Sequence, residues 1–239
     1  MLFLKSLIEA KKSGQKLLAI LLDPDKVALT DISTIIFKIE TLKADFIFVG
    51  GSLVKEGATE KLVKALKKVT NLKVILFPGD ASQITNLADT LLFMSLLSGR
   101  NPEYLINQQI KAIPKIKASH LEIISTAYIL IDGGKVSSVE KVSHTKPMSQ
   151  NQEELIVNTA LAGQFMGNQL VYLEAGSGAK YPVKSEIIRE LTNQLQIPVI
   201  VGGGIRTQKQ LDSAYASGAD LVVIGTAFEE NNIFLESNN

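Results

Sequence analysis

Short apolar runs rich in Ile, Val, Leu and Phe recur along the chain, at 17–22, 46–49, 74–77, 91–94, 121–125, 170–173, 198–201 and 221–224. They are nearly continuous in apolar character rather than strictly alternating, as parallel strands covered on both faces are. Between them, segments 32–42, 60–69, 102–116, 153–165, 185–195 and 208–216 carry apolar side chains at helical intervals. Such segments predict helices that cover a sheet. Eight strands alternating with helices in 239 residues predict an α/β fold, a closed (β/α)8 TIM barrel, with an open doubly wound sheet as the alternative.

Two places break the rhythm. Between Pro78 and Thr90 there is room only for a short or irregular connection, so the third helix is expected to be reduced or missing. A gap in the helical ring would open a groove. The stretch 127–150 carries two β-rich runs around Asp132, Gly133 and Gly134, and predicts a hairpin-like insertion after the fifth strand. No interdomain linker interrupts the pattern, so 1–239 reads as a single barrel domain, with only the tail 236–239 expected to fray.

Composition narrows the chemistry. A net charge of +1 supplies no long-range field for nucleic acid or an acidic membrane, so an anionic ligand must be met locally. The absence of cysteine excludes disulfides, thiolate catalysis and thiolate metal sites. His120 and His144 are the only histidines, which excludes His-rich metal sites and makes any Ser-His-Asp triad depend on one of them. The first residues form an amphipathic stretch that acquires charge by Lys5, unlike a signal peptide. No window approaches the roughly 18 uninterrupted apolar residues of a membrane span. A cytoplasmic protein without stable membrane insertion is expected.

In a barrel the loops at the carboxyl ends of the strands hold the active site. After the seventh apolar run come Gly202, Gly203, Gly204, Ile205, Arg206 and Thr207, and after the eighth come Gly225 and Thr226. Glycine lets backbone N–H groups approach an anion, and these two loops are where barrels commonly bind phosphate. Tight turns alone would also use these glycines. A dinucleotide fingerprint fails, because its third glycine would fall at Thr207 and Asp220 precedes its strand instead of ending it.

The sixth run ends in Tyr172, Leu173, Glu174, Ala175, Gly176, Ser177 and Gly178. Strand alternation puts Glu174 at the barrel mouth, where a carboxylate can accept a hydroxyl proton; the other reading is a solvated turn residue. The first run ends in Asp23, Pro24, Asp25 and Lys26, and the second in Gly50, Gly51 and Ser52. A carboxylate with a neighbouring hydroxyl suits Mg2+, which keeps several waters and takes diphosphate oxygens; Asp23 could equally cap a turn. Lys61, Lys64, Lys67 and Lys68 read as a solvated helix face, and Arg100 and Tyr104 as substrate, subunit or surface residues.

Together LLDPDK at 21–26, FVGGS at 48–52, YLEAGSG at 172–178, VGGGIR at 201–206 and VIGTAFE at 223–229 resemble the geranylgeranylglyceryl phosphate synthases and their bacterial PcrB-like relatives. The resemblance covers nearly the whole chain, and LDPDK with YLEAGSG is its specific part. It implies transfer of a geranylgeranyl or other polyprenyl group from its diphosphate to the C3 hydroxyl of sn-glycerol 1-phosphate, with Mg2+ and release of diphosphate, forming an ether lipid precursor. Carried onto this sequence, it puts Mg2+ on Asp23 and Ser52. It puts the glycerol phosphate on Tyr172, Leu173, Glu174, Ala175, Gly176, Ser177, Gly178, Gly203, Gly204, Gly225 and Thr226, and makes Glu174 and Asp23 the catalytic pair. It also implies an irregular third helix beside a prenyl groove and a homo-oligomer, dimer or hexamer. A sugar-phosphate isomerase or aldolase barrel and a non-catalytic phosphate-binding barrel are the competing classes.

Overall fold

Eight parallel strands follow one another round a closed barrel in sequence order, β1 (Leu17–Leu22), β2 (Phe46–Val49), β3 (Lys73–Leu76), β4 (Thr90–Leu96), β5 (Glu122–Leu130), β6 (Leu170–Glu174), β7 (Val199–Gly202) and β8 (Leu221–Ile224), and β8 pairs back onto β1. The computed structural model describes residues 2–230, so the tail at 236–239 lies outside the described residues. Around the barrel run α2 (Ile32–Thr41), α3 (Ala58–Leu66), α4 (Gln108–Lys117), α5 (Ser138–Ser143), α6 (Glu153–Phe165), α7 (Ser185–Gln194), α8 (Gln208–Ala216) and the short α9 (Thr226–Glu229), preceded by α1 (Phe3–Ser13). The TIM barrel expected from the hydrophobic pattern is the fold.

Strand alternation divides the core in two. Ala19, Phe46, Phe48, Ile75, Leu92, Ile124, Tyr128, Tyr172, Ile200 and Val223 point inward and fill the barrel. Their neighbours Ile20, Ile47, Val74, Leu91, Ile129, Val171, Val201 and Val222 point outward beneath the helices. Because both faces are covered, both parities are apolar, which is why the runs do not alternate. Helix α1 plugs the amino-terminal end: Phe3 packs edge-on to Phe46 with ring centroids 4.8 Å apart. Glu122, at the start of β5, accepts the Phe3 and Leu4 N–H groups at 2.7 and 3.1 Å and so caps α1 from far along the chain.

The third helix of the expected ring, the one between β3 and β4, is reduced to a 3-10 turn, Ala81–Gln83. Here β3 and β4 share only the pairs Ile75 with Thr90 and Leu76 with Leu91, so the barrel wall is thinnest where its helical cover is missing. The segment expected as one helix over 102–116 begins instead with a π-helical turn, Glu103–Asn107, which α4 continues.

The expected hairpin does not form. Strand β5 runs on to Leu130, with Tyr128 to Leu130 paired to β6, and Ile131 makes a single parallel bridge to Met148. Between these, Ser137 accepts the Glu140 N–H at 3.0 Å and starts α5. The β-rich residues before Asp132 are thus used by the barrel itself, and the Ser-x-x-Glu spacing is a helix-start signal that outweighs the β character of the valines.

Candidate active site

Inward-pointing positions at the carboxyl ends of the strands converge on one cavity of about 1110 Å³. Asp23 and Lys26 reach it from β1, Gly51 and Ser52 from β2, Glu174, Gly176 and Ser177 from β6, Gly203 to Arg206 from β7, and Gly225, Thr226 and Glu229 from β8. Tyr172 and Phe77 form its floor, their rings stacked 4.9 Å apart, with Tyr128 5.6 Å from Tyr172.

Glu174 is buried, which contradicts the solvated-turn reading. Burial pushes its carboxyl up to about 7, against the opposing hydrogen bond from the Gly176 N–H at 2.7 Å. Beside it the buried Tyr172 hydroxyl interacts with the Glu174 carboxylate but makes no hydrogen bond of good geometry. Burial first, and the Glu174 charge second, push that phenol well above its usual range, so it stays protonated and can donate. A buried hydroxyl so weakly satisfied is costly, and at the cavity floor it remains open to a ligand hydroxyl.

The loops after β7 and β8 have the geometry anticipated from their glycines. Gly203 and Gly204 take φ of +83° and +73°. A Cβ at Gly203 would also stand 2.5 Å from Glu174 Oε1 and 2.7 Å from the Gly176 nitrogen. These residues let the β7 loop lie directly on the β6 loop. Thr226 Oγ1 accepts the Gly178 N–H at 3.1 Å and lies 3.1 Å from Ser177 Oγ, which ties β6 to β8. Arg206 donates to the Ala179 carbonyl at 2.6 Å. Among the described residues, no protein acceptor takes the N–H groups of Gly204 or Gly225, which leaves them available to an anion. Thr207, which broke the dinucleotide fingerprint, caps α8 by accepting the Gln210 N–H.

On the opposite side, Asp23 Oδ1 accepts the Asp25 N–H at 3.1 Å, so the capping role is real, yet its carboxylate still faces the cavity. The absence of a Cβ at Gly51 makes room for it: one there would stand 3.3 Å from Asp23 Oδ1. Lys26 lies 3.5 Å from Asp23 and 2.8 Å from Glu229, joining the β1 and β8 rims. Desolvation lowers the Lys26 pKa, but Glu229 and Asp23 outweigh it and the ammonium is held above its usual value.

A second cavity of about 790 Å³ opens from the first at Gly51, Ser52, Phe77, Tyr128 and Val139. It follows the gap left by the third helix, walled by Pro78, Ile84, Leu92, Met94, Ala112 and Val142, and is almost entirely apolar. The groove expected beside the shortened 78–90 connection is therefore present.

The structure brings Asp23, Ser52, Tyr172, Glu174, Gly176, Ser177, Gly178, Gly203, Gly204, Gly225 and Thr226 to one cavity. Leu173 and Ala175 do not share it: by strand alternation they turn outward into the helix-covered core. Lys26, Glu229 and Arg206 stood inside quoted motifs without a role, and the pairing of Lys26 with Glu229 is visible only in three dimensions. Tyr128 was missed because the fifth strand was ended too early; carrying its alternation on from Ile124 places Tyr128 inward. His120 and His144 lie outside both cavities, at the start of β5 and at the end of α5.

Comparison with known proteins agrees with this geometry. The PcrB family profile matches residues 11–238. A geranylgeranylglyceryl phosphate synthase of Zunongwangia profunda is 56% identical over 226 residues, 95% of this chain and 96% of that protein. Its counterpart in Flavobacterium johnsoniae is 51% identical over 233 residues, 98% of this chain and 96% of that protein. The crystal structure of (S)-3-O-geranylgeranylglyceryl phosphate synthase from Thermoplasma acidophilum in complex with sn-glycerol-1-phosphate superposes with a TM-score of 0.90 at 37% identity, covering 96% of this chain and 92% of that one. The YdjI aldolase of Escherichia coli K12, at 13% identity and a TM-score of 0.55, shares the barrel fold alone. With the family profile spanning the barrel from α1 onward and full-length relatives above half identity, this chain belongs to the PcrB family.

Proposed function

We propose that the protein transfers a polyprenyl group from its diphosphate to the C3 hydroxyl of sn-glycerol 1-phosphate. The observation that carries this reading is the junction of two unlike cavities: a glycine-lined polar pocket holding a buried carboxylate opens directly into an apolar groove. A sugar-phosphate isomerase or aldolase would use the first and have no use for the second. The relatives named for this activity support it.

In this reading the free N–H groups of Gly204 and Gly225, with Thr226 and the close backbone of Gly203, take the phosphate. The glycerol backbone then lies along Gly176 and Ser177, and its C3 hydroxyl reaches Glu174 and the buried Tyr172 hydroxyl. The hydrocarbon lies in the groove between Ile84, Met94 and Ala112. Reaction forms a bond between the C3 oxygen and the allylic carbon and breaks the bond from that carbon to the diphosphate oxygen, which leaves with the electron pair. Glu174 accepts the hydroxyl proton, for which a pKa of about 7 is suited. Holding both partners in reacting geometry is the larger part of the protein's contribution.

A divalent cation fits the donor side. Asp23 and Ser52 offer one carboxylate and one hydroxyl, oxygen ligands only, on loops that Gly51 lets approach each other closely. Mg2+ commonly takes one or two carboxylates, the remaining places going to water and substrate phosphate. Bound there, it would neutralise charge on the departing diphosphate. Lys26 adds a positive charge at the same rim.

Self-association fits as well. Ile106, Ile110 and Ile113 expose an apolar line along the π-helical turn and α4, and light scattering is expected to give a dimer or larger assembly. The substrate reading is tested by thermal shift. sn-Glycerol 1-phosphate should raise Tm, and a prenyl diphosphate with Mg2+ should raise it further, each in proportion to occupancy. A shift with the first ligand and none with the second would refute the groove assignment.

A further inference from the structure

The loop that carries Ser52 is held by the segment that replaces the third helix. Gln83, in the 3-10 turn, is 3% exposed. Its Nε2 donates to the Gly51 carbonyl at 2.8 Å and its Oε1 accepts the Gly51 N–H at 3.4 Å, so one side-chain amide takes both backbone groups of one residue. The backbones are in contact too, since a Cβ at Gly79 would lie 2.5 Å from the Gly51 oxygen and 2.6 Å from the Ser52 oxygen.

The turn is in turn anchored from α4. Gln108 Oε1 accepts the Ala81 N–H at 2.9 Å, and Lys115 Nζ donates to the carbonyls of Ser82 and Ile84 at 2.7 and 3.3 Å. Pro78, Ala81 and Ile84 of this same segment wall the apolar groove. One hydrogen-bonded series thus runs from the groove wall through Gln83 to Gly51, which abuts Asp23 and precedes Ser52.

We propose that Gln83 is a positioning residue that fixes the donor's diphosphate corner relative to its hydrocarbon groove, and so sets where the allylic carbon stands before the acceptor hydroxyl. The inference rests on the prenyl-transfer reading and adds to it a residue that no motif of the sequence singled out. Without Gln83 the Gly51 N–H and carbonyl lose these partners and the Ser52 loop is free to shift. Displacement of reacting atoms by about 1 Å can cost roughly 100-fold in rate.

The test compares full-length wild type with Gln83→Leu. Amide hydrogen exchange at 51–53 should accelerate at least tenfold with the remaining barrel unchanged. The Kd for inorganic pyrophosphate with Mg2+ should rise about tenfold, kcat should fall 10- to 100-fold, and the Kd for sn-glycerol 1-phosphate should stay within twofold. Should Gln83→Leu fail to fold, Gln83→Met, which keeps the length of the side chain and removes both bonds, carries the same expectations. Equal loss of affinity for both ligands in step with Tm would make Gln83 merely structural and overturn the proposal, as would unaltered kinetics in the variant beside normal wild-type transfer. A wild-type protein that bound glycerol 1-phosphate but no pyrophosphate would remove the donor reading, and this inference with it.

Discussion

Burial of Glu174 sets both its acidity and its cost to the fold. Its carboxyl titrates near 4.5 when unperturbed and at about 7 in the folded barrel, because desolvation disfavours the charged form. Between these values the folded state binds the proton and the unfolded state does not. Stability therefore falls as pH rises through that window, and the full penalty applies above pH 7. Glu174→Gln should be the more stable protein at pH 8, by up to about 3 kcal/mol in urea denaturation, while losing roughly 10²- to 10⁴-fold in kcat. Wild-type kcat/KM should climb with pH to a plateau above about 7; a flat profile across that range would count against Glu174 as the base. At Gly203 the argument is steric. Its φ of +83° and the 2.5 Å approach to Glu174 mean that Gly203→Ala should lose at least about 1–2 kcal/mol of stability. Glycerol phosphate affinity should fall with it, measurable by calorimetry.

At the scale of elements, the strands were legible because each is a short apolar run, five of the eight ended by glycine or a charged residue, and β1, β2 and β8 begin and end where the runs do. What the sequence hid were elements fixed by distant partners. Tyr128 to Leu130 belong to the barrel because β6 pairs with all three and β4 with Tyr128, and local β character could not distinguish that from a hairpin. The π-helical turn is likewise held from outside, with Ser95 Oγ donating to the Leu105 carbonyl and Gln109 bonding the Met94 carbonyl. The groove, by contrast, followed from counting too few residues between Pro78 and Thr90 to make a helix. Because Ala112 of α4 lines that groove and is 3% exposed, Ala112→Phe should shorten it. The variant is expected to favour shorter prenyl diphosphates in competition assays while its affinity for glycerol 1-phosphate holds. Equal effects on both substrates would put the hydrocarbon elsewhere.

Across the whole molecule, the two ends of the barrel have different tasks. The amino-terminal end is closed by α1, whose first N–H groups depend on Glu122, itself 3.1 Å from the Thr90 hydroxyl. Glu122→Ala should cost about 1–2 kcal/mol by loss of the cap and leave kcat unchanged, as judged by urea denaturation beside a rate assay. The carboxyl-terminal end carries the site, and strand alternation made much of it readable in advance: Asp23, Glu174 and the glycines after β7 and β8 all gather there. The same alternation turned Leu173 and Ala175 away. The Lys26–Glu229 pair and the Gln83 clasp were not readable, since each joins segments far apart in sequence. The most direct test of the central claim is transfer itself. Purified protein would be incubated with Mg2+, labelled sn-glycerol 1-phosphate and C20 or C35 prenyl diphosphate, with Asp23→Asn as control. The account predicts organic-extractable label that appears with a preferred chain length and is lost in the control; no label with either donor, from a protein that still binds glycerol 1-phosphate, would contradict it.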